Sequence, residues 1–214
     1  MSVDTELGEL ELAALVSSRI CHDIISPVGA IANGLEVLDE ETGQDMREHA
    51  MDLIRKSAAQ ASAKLQFARL AFGAAGSAGA EIDLNEAEKV TRAVAQSDKH
   101  SVDWNGPAAT VAKDKVKLLL NMVTLAFAAL PRGGALKISV TGEPGAPSFK
   151  VQCQGEAARV PETFEKMLSG TNDHALDAHS VQPYYTMRIA KSAGMSLAAG
   201  VEEGGVVLTA SPVV

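Results

Sequence analysis

The sequence predicts an α+β protein: a long N-terminal helical hairpin at the centre of a dimeric four-helix bundle, then a C-terminal α/β sandwich. Three observations carry this reading. Small and apolar residues recur at coiled-coil spacing through the first 72 residues. A run of small residues, GAAGSAGAE at 73–81, then interrupts the pattern. Beyond it, short period-2 segments alternate with shorter helical ones.

The first helix is predicted from about Glu6 to Glu40. Its seam is Leu10, Ala14, Ser17, Cys21, Ile24, Val28, Ile31, Leu35 and Leu38, in 4-3 alternation. DEETGQD, around Gly43, supplies the turn. The second helix, roughly Asp45 to Phe72, has the seam Met51, Ile54, Ala58, Ala61, Leu65, Ala68 and Phe72. A short turn between two long helices makes an antiparallel hairpin. Each helix also carries apolar residues off its seam, among them Val16, Ile20, Ile25, Leu53 and Leu70. One hairpin cannot cover two apolar faces, so a homodimer is expected.

In the second part, DLNEAEKVTRAVAQ (83–96) reads as a helix capped by Asp83 or Asn85. SVDW (101–104) reads as a short strand, and 114–134 as a helix closed by Pro131 and two glycines. LKISV (136–140) and FKVQCQ (149–154) alternate as strands do. Helices at 161–170 and 181–194 follow, then two strand-like segments, SLAAGV and GVVLTASPVV. The boundaries are 1–74 for the hairpin, 75–80 for the linker and 81–214 for the sandwich.

Composition narrows the function. With 46% hydrophobic and 21% charged residues the chain is globular. A net charge of −8 disfavours nucleic acid, whose phosphates need a basic stripe. The N-terminus is acidic and lacks a signal peptide's basic start, and no stretch is apolar enough to span a membrane. The two cysteines, Cys21 and Cys153, give no sign of an oxidising compartment. A cytoplasmic protein that engages neither membrane nor nucleic acid is expected.

Chemistry concentrates at HDIISPVGAI, His22 to Ile31. A neutral imidazole is a competent nucleophile near neutral pH. The plain alternative is a half-buried, hydrogen-bonded helix residue. The helical neighbours of His22 are Ser18, Arg19, Ile25 and Ser26, a small, largely polar surface that a bulky partner can approach. Asp23 could orient the ring or act as a base; otherwise it is a solvated acid. Counting back across the turn places His22 level with Ser62 to Leu65, so that Arg19 and Lys64 could both stand near the ring. Cations there suit a phosphorylated product, although each could equally be a surface charge. Pro27 removes an N–H and is expected to kink the helix just past the histidine. Gly29 permits close approach beside it. A metal set of Asp173, His174, Asp177 and His179 reads better as a polar loop, because its spacing is weak for a ligand set.

HDIISPVGAIANGLEVL resembles the H box of the dimerisation and phosphotransfer (DHp) domain of sensor histidine kinases, with His22, Asp23, Ser26, Pro27, Ala30 and Ile31 in register. The basic residue usual before the hydroxyl is Ile25 here. The resemblance implies that His22 is the phosphoacceptor. The second part is similar to the kinases' Bergerat-fold ATPase domain (HATPase), but its nucleotide sites are degenerate. LLLNMVTLAFAALPRGG (118–134) resembles the N box, with Asn121, Pro131, Gly133 and Gly134 kept; the magnesium-holding asparagine would be at Leu125, and a nearby cation at Ala128. VQCQGEA (151–157) resembles the G1 box, with its adenine-binding aspartate at Cys153 and its second glycine at Ala157. VQPYYTMRIAKSAG resembles a G2 box without phosphate-loop glycines. Leucine offers magnesium no oxygen, and a thiol is a weak acceptor for an adenine amine.

A histidine hairpin joined to a degenerate kinase domain is similar to the ChpT-type histidine phosphotransferases of alphaproteobacteria, over nearly the whole chain. That resemblance implies a phosphorelay. A CckA-like hybrid kinase's receiver domain donates to His22, and CtrA-like and CpdR-like response regulators accept, in cell-cycle control. It implies no ATP and no intrinsic cofactor, with Mg2+ supplied by the receiver. Docking is expected at Ser18, Arg19, Ile25, Ser26 and Gly29. Two other classes stand beside it: an ATP-dependent histidine kinase, and a non-enzymatic dimeric scaffold.

Overall fold

The computed structural model describes residues 7–40, 43–73, 80–97, 99–171, 175–178 and 180–213. Two long antiparallel helices, α1 (Glu9–Glu40) and α2 (Gln44–Phe72), form the hairpin. α1 runs through Pro27 without a break and starts at Glu9; Leu7 and Gly8 are not helical. Arg47 donates from Nη1 to the Leu38 carbonyl at 2.7 Å, satisfying one of the acceptors left open at the end of α1.

The predicted seam divides into two faces. Ile20, Ile24, Pro27, Ile31, Gly34 and Leu38, spaced 4-3-4-3-4, form the more buried stripe of α1. Leu10, Ala14, Ser17, Cys21, Val28 and Leu35 of the predicted seam are instead exposed. The same division runs along α2, where Ile54, Ala61 and Ala68 are sheltered and Ala58 and Leu65 are exposed. The reason is geometric. A two-helix contact covers one stripe of each helix, narrower than the apolar surface these helices carry. At Gly34 the helices come so close that a Cβ would lie 2.7 Å from Ile54 Cγ1.

The second part contains β1 (Glu81–Asp83), α3 (Leu84–Ser97), β2 (His100–Asn105), β3 (Thr110–Ala112), α4 (Lys113–Ala129), β4 (Gly134–Thr141), β5 (Ser148–Gln154), α5 (Glu162–Leu168), α6 (Val181–Ser192), β6 (Met195–Glu202) and β7 (Gly205–Pro212). A five-stranded sheet has the order β2-β4-β5-β7-β6, with β2 parallel to β4 and the other neighbours antiparallel. Leu136, Ile138 and Val140 of β4, with Phe149, Val151 and Cys153 of β5, bury alternate side chains in the core shared with α4. This is the α/β sandwich the strand periodicity predicts.

Sequence reading missed β1 and β3, which pair antiparallel as a small separate sheet. Three residues are too few to show a period. Asp83 caps α3, its Oδ1 accepting from Asn85 N at 2.9 Å. α4 ends at Ala129, short of the predicted 134, because the chain turns through Gly133 at φ 82°, where a Cβ would meet the Lys99 carbonyl. Apart from Ala80, the linker expected at 75–80 lies outside the described residues. Phe67, Leu70 and Ala71 of α2 belong to the same hydrophobic core as α4 and the sheet, so the base of the hairpin is built into the sandwich.

Candidate functional site

Helical spacing organises the surface around His22. Ser18, His22, Ile25 and Gly29 follow one another at intervals of four, three and four, so they lie on one stripe of α1, with Ser26 beside it. All five are exposed; the His22 side chain retains 61% of its accessible surface and Ile25 retains 70%. No Cβ contact within 4 Å would arise at Gly29, so this stripe is open above the backbone. Ser18, Ile25, Ser26 and Gly29 of the expected docking set are therefore together, whereas Arg19 is partly buried beside them.

Asp23 stands beside both the imidazole and Arg19. Its Oδ2 accepts from Arg19 Nε at 3.1 Å, and its Oδ1 stands 3.6 Å from His22 Nδ1. The second distance is longer than a hydrogen bond. An acid on the Nδ1 side favours the tautomer protonated there and leaves the Nε2 lone pair for chemistry. Arg19, at 25% side-chain exposure, is thus committed to Asp23 in this arrangement.

Lys64 lies where the hairpin count placed it. It lines a groove of about 180 Å³ together with Arg19, Asp23 and Phe67 of the hairpin and Thr124 and Phe127 of α4. The groove thus runs from residues beside His22 in sequence to the junction with α4.

Two of the positions where the resemblance expects lost nucleotide contacts lie in the core. Leu125 is 1% exposed and Cys153 is 0% exposed; both pack in the main hydrophobic cluster. Burial pushes the Cys153 thiol up to about 12. A buried leucine and a neutral thiol do not fit a magnesium ion or an adenine amine. Ala157 takes a left-handed conformation, φ 60°, after Gly155. Asn121 points into the interior and is fully buried. Of the metal set weighed from sequence, Asp173, His174 and His179 lie outside the described residues. Asp177 sits in the turn before α6, its Oδ1 accepting from Ser180 N at 2.7 Å. Among the described residues no group of three potential ligands forms a metal site, and no helix is long and apolar enough to cross a membrane.

Two polar side chains that sequence reading passed over matter at the junction. Gln182 and Thr186, on α6, are buried and hydrogen-bonded to each other. Their four-residue spacing was visible, but nothing in the sequence showed that this helix face turns inward.

Comparison with known proteins agrees with this arrangement. Residues 84–205 match the family model described as the histidine phosphotransferase C-terminal domain. The chain is 50% identical over 198 residues to protein phosphotransferase ChpT of Brucella abortus (strain 2308), covering 92% of this chain and 93% of that protein. It superposes on a solved bacterial phosphotransferase with a TM-score of 0.90 at 45% identity, covering 97% of this chain and 98% of the other. Match, identity and fold all extend beyond what one motif could carry, and the chain belongs to the histidine phosphotransferase family.

Proposed function

We propose that this phosphotransferase relays a phosphoryl group between receiver domains through His22. The observation that supports it is the exposed His22 imidazole, flanked by Asp23 on its Nδ1 side and set in a stripe open at Gly29. In the proposed step His22 Nε2 attacks the phosphorus of a receiver's aspartyl phosphate in line. The new N–P bond forms as the P–O bond breaks, and the electron pair stays with the receiver's carboxylate. A second receiver's aspartate then takes the group by the reverse chemistry. Phosphoryl transfer needs chiefly positioning and charge stabilisation, so few groups are required of this chain. The divalent cation belongs to the receiver, and ATP has no part.

The donor is proposed to be the receiver of a CckA-like hybrid kinase, and the acceptors CtrA-like and CpdR-like regulators, as the resemblance implies. The active form is proposed to be a homodimer. The exposed Val28, Leu35, Leu53 and Leu65 support this, because a second hairpin would cover them.

A reconstituted relay tests the reading. Labelled phosphoreceiver is mixed with wild type or with His22→Ala, beside an ATP-only control. Wild type takes the label from the receiver and none from ATP. Label on His22→Ala would refute the site, and label from ATP would restore the kinase reading.

A further inference from the structure

We infer that Asn121 is a positioning residue for phosphoryl transfer: its buried amide locks the end of the His22-bearing hairpin to the sandwich and fixes the angle between them. This inference rests on the relay reading above.

Residue Ala71 lies in the last turn of α2 and is completely buried. The final carbonyls of a helix have no partner within it, and leaving one unsatisfied in the interior is costly. Asn121, on α4, supplies that partner, donating from Nδ2 to Ala71 O at 3.0 Å. The same Nδ2 donates to Lys117 O at 2.8 Å, one turn back on α4. Asn121 Oδ1 accepts from Gln182 Nε2 of α6 at 2.7 Å. Gln182 is held in turn, its backbone carbonyl accepting from Thr186 Oγ1 at 2.8 Å. One amide, 0% exposed, therefore ties three helices, and both its ends are in use.

Around it, Phe72 packs its ring on Tyr185 of α6 with centroids 5.5 Å apart, and Arg69 pairs with Glu86 of α3 at 3.1 Å. The ring contact is non-directional and the ion pair is exposed, so either permits sliding. The Asn121 bond to a helix-end carbonyl is directional, and both groups are fully buried. A partner that docks on His22 and also touches the sandwich needs both surfaces in one relation. Asn121 sets that relation without touching the partner.

Two variants separate positioning from stability. Asn121→Leu removes the tie to Ala71, whereas Gln182→Met loosens α6 and leaves that tie in place. Each is compared with wild type in full-length protein by three measurements: thermal midpoint, His22 phosphorylation by phosphoramidate, and transfer from a phosphorylated receiver. The small donor gives its phosphoryl group to His22 and releases ammonia, so it reads the imidazole alone. Asn121→Leu raises the receiver KM about tenfold, as loss of one buried hydrogen bond's worth of positioning would. Its phosphoramidate rate stays within about twofold of wild type. Gln182→Met, matched for midpoint by choice of temperature, keeps the wild-type KM. Hydrogen exchange in residues 67–72 quickens in Asn121→Leu alone. Equal KM values for the two variants at matched midpoints would overturn the inference. So would an unfolded Asn121→Leu accompanied by a Gln182→Met protein whose KM rises. If wild type itself takes no label from the receiver, the relay reading fails instead.

Discussion

Asp23 stands between His22 and Arg19, its two carboxylate oxygens 3.6 Å from the ring Nδ1 and 3.1 Å from the guanidinium Nε. This makes it the hinge of the site's chemistry. Asp23→Asn keeps the shape and loses the charge that favours a proton on Nδ1. Phosphoryl uptake by His22 then slows by about 10²- to 10⁴-fold, the usual span for removing a proton-handling side chain. Arg19→Ala leaves Asp23 uncompensated before an incoming anionic phosphoryl group, so its effect has the same sign and Arg19→Lys is milder. Stopped uptake assays with phosphoramidate and with a phosphoreceiver measure both; an Asp23→Asn rate equal to wild type would remove Asp23 from the mechanism.

Two glycines of α1 make opposite predictions. A Cβ at Gly34 would meet Ile54 Cγ1 at 2.7 Å and the Ala50 carbonyl at 3.3 Å, whereas a Cβ at Gly29 would meet nothing within 4 Å. Gly34→Leu therefore overpacks the hairpin and costs about 1–3 kcal/mol. Gly29→Ala gains about 0.5–1 kcal/mol of helix stability by lowering the backbone entropy lost on folding. Gly29→Leu is expected to fold well and to transfer slowly, because its side chain stands in the docking stripe. Urea unfolding and receiver-transfer rates, taken together, separate the two effects.

Most of this architecture was legible because long helices repeat their signal. The 4-3 series over α1 carried the helix and its excess of apolar surface, even though it ran together the stripe through Ile24 with the one through Val28. Period alone does not say which stripe meets α2, since both repeat at the same spacing. β1 and β3 escaped because three residues hold no period, and their pairing is between segments far apart in sequence. At the site, His22 and its neighbours follow from helical spacing. The Lys64 position follows from counting across one turn. The Asn121 clamp could not be read: asparagine on an apolar helix gives no clue to a carbonyl fifty positions away.

The exposed stripe of Val28 and Leu35 on α1, with Leu53 and Leu65 on α2, predicts its own test. Leu35→Glu places a charge on the face a second copy would cover and leaves the contact with α2 alone, since Leu35 is 50% exposed within one chain. Sedimentation velocity is expected to show wild type as a dimer and Leu35→Glu as a monomer with unchanged far-ultraviolet circular dichroism. A Leu35→Glu protein that remains dimeric would move the interface off this face.

The two cysteines predict a pH effect that belongs to the core and not to the site. Cys21 is exposed within one chain, on the stripe proposed to meet a second copy, and Cys153 is buried in the core. Burial raises the Cys153 thiol from 9.0 to about 12. The folded state then keeps its proton where the unfolded chain has lost it. Stability from this group is fully present below about pH 9, and it declines as pH rises from there toward 12. The slope approaches 1.4 kcal/mol per pH unit, the value for one proton. Lys117 acts in the opposite direction: burial, then the charge of Lys113, lowers its ammonium's pKa, and that contribution grows with pH. Subtracting the pH–stability curve of Cys153→Val from that of wild type cancels the lysine and every other shared group. The difference should be flat to about pH 9 and fall beyond it. A difference that stays flat through pH 11 would mean that water reaches the thiol.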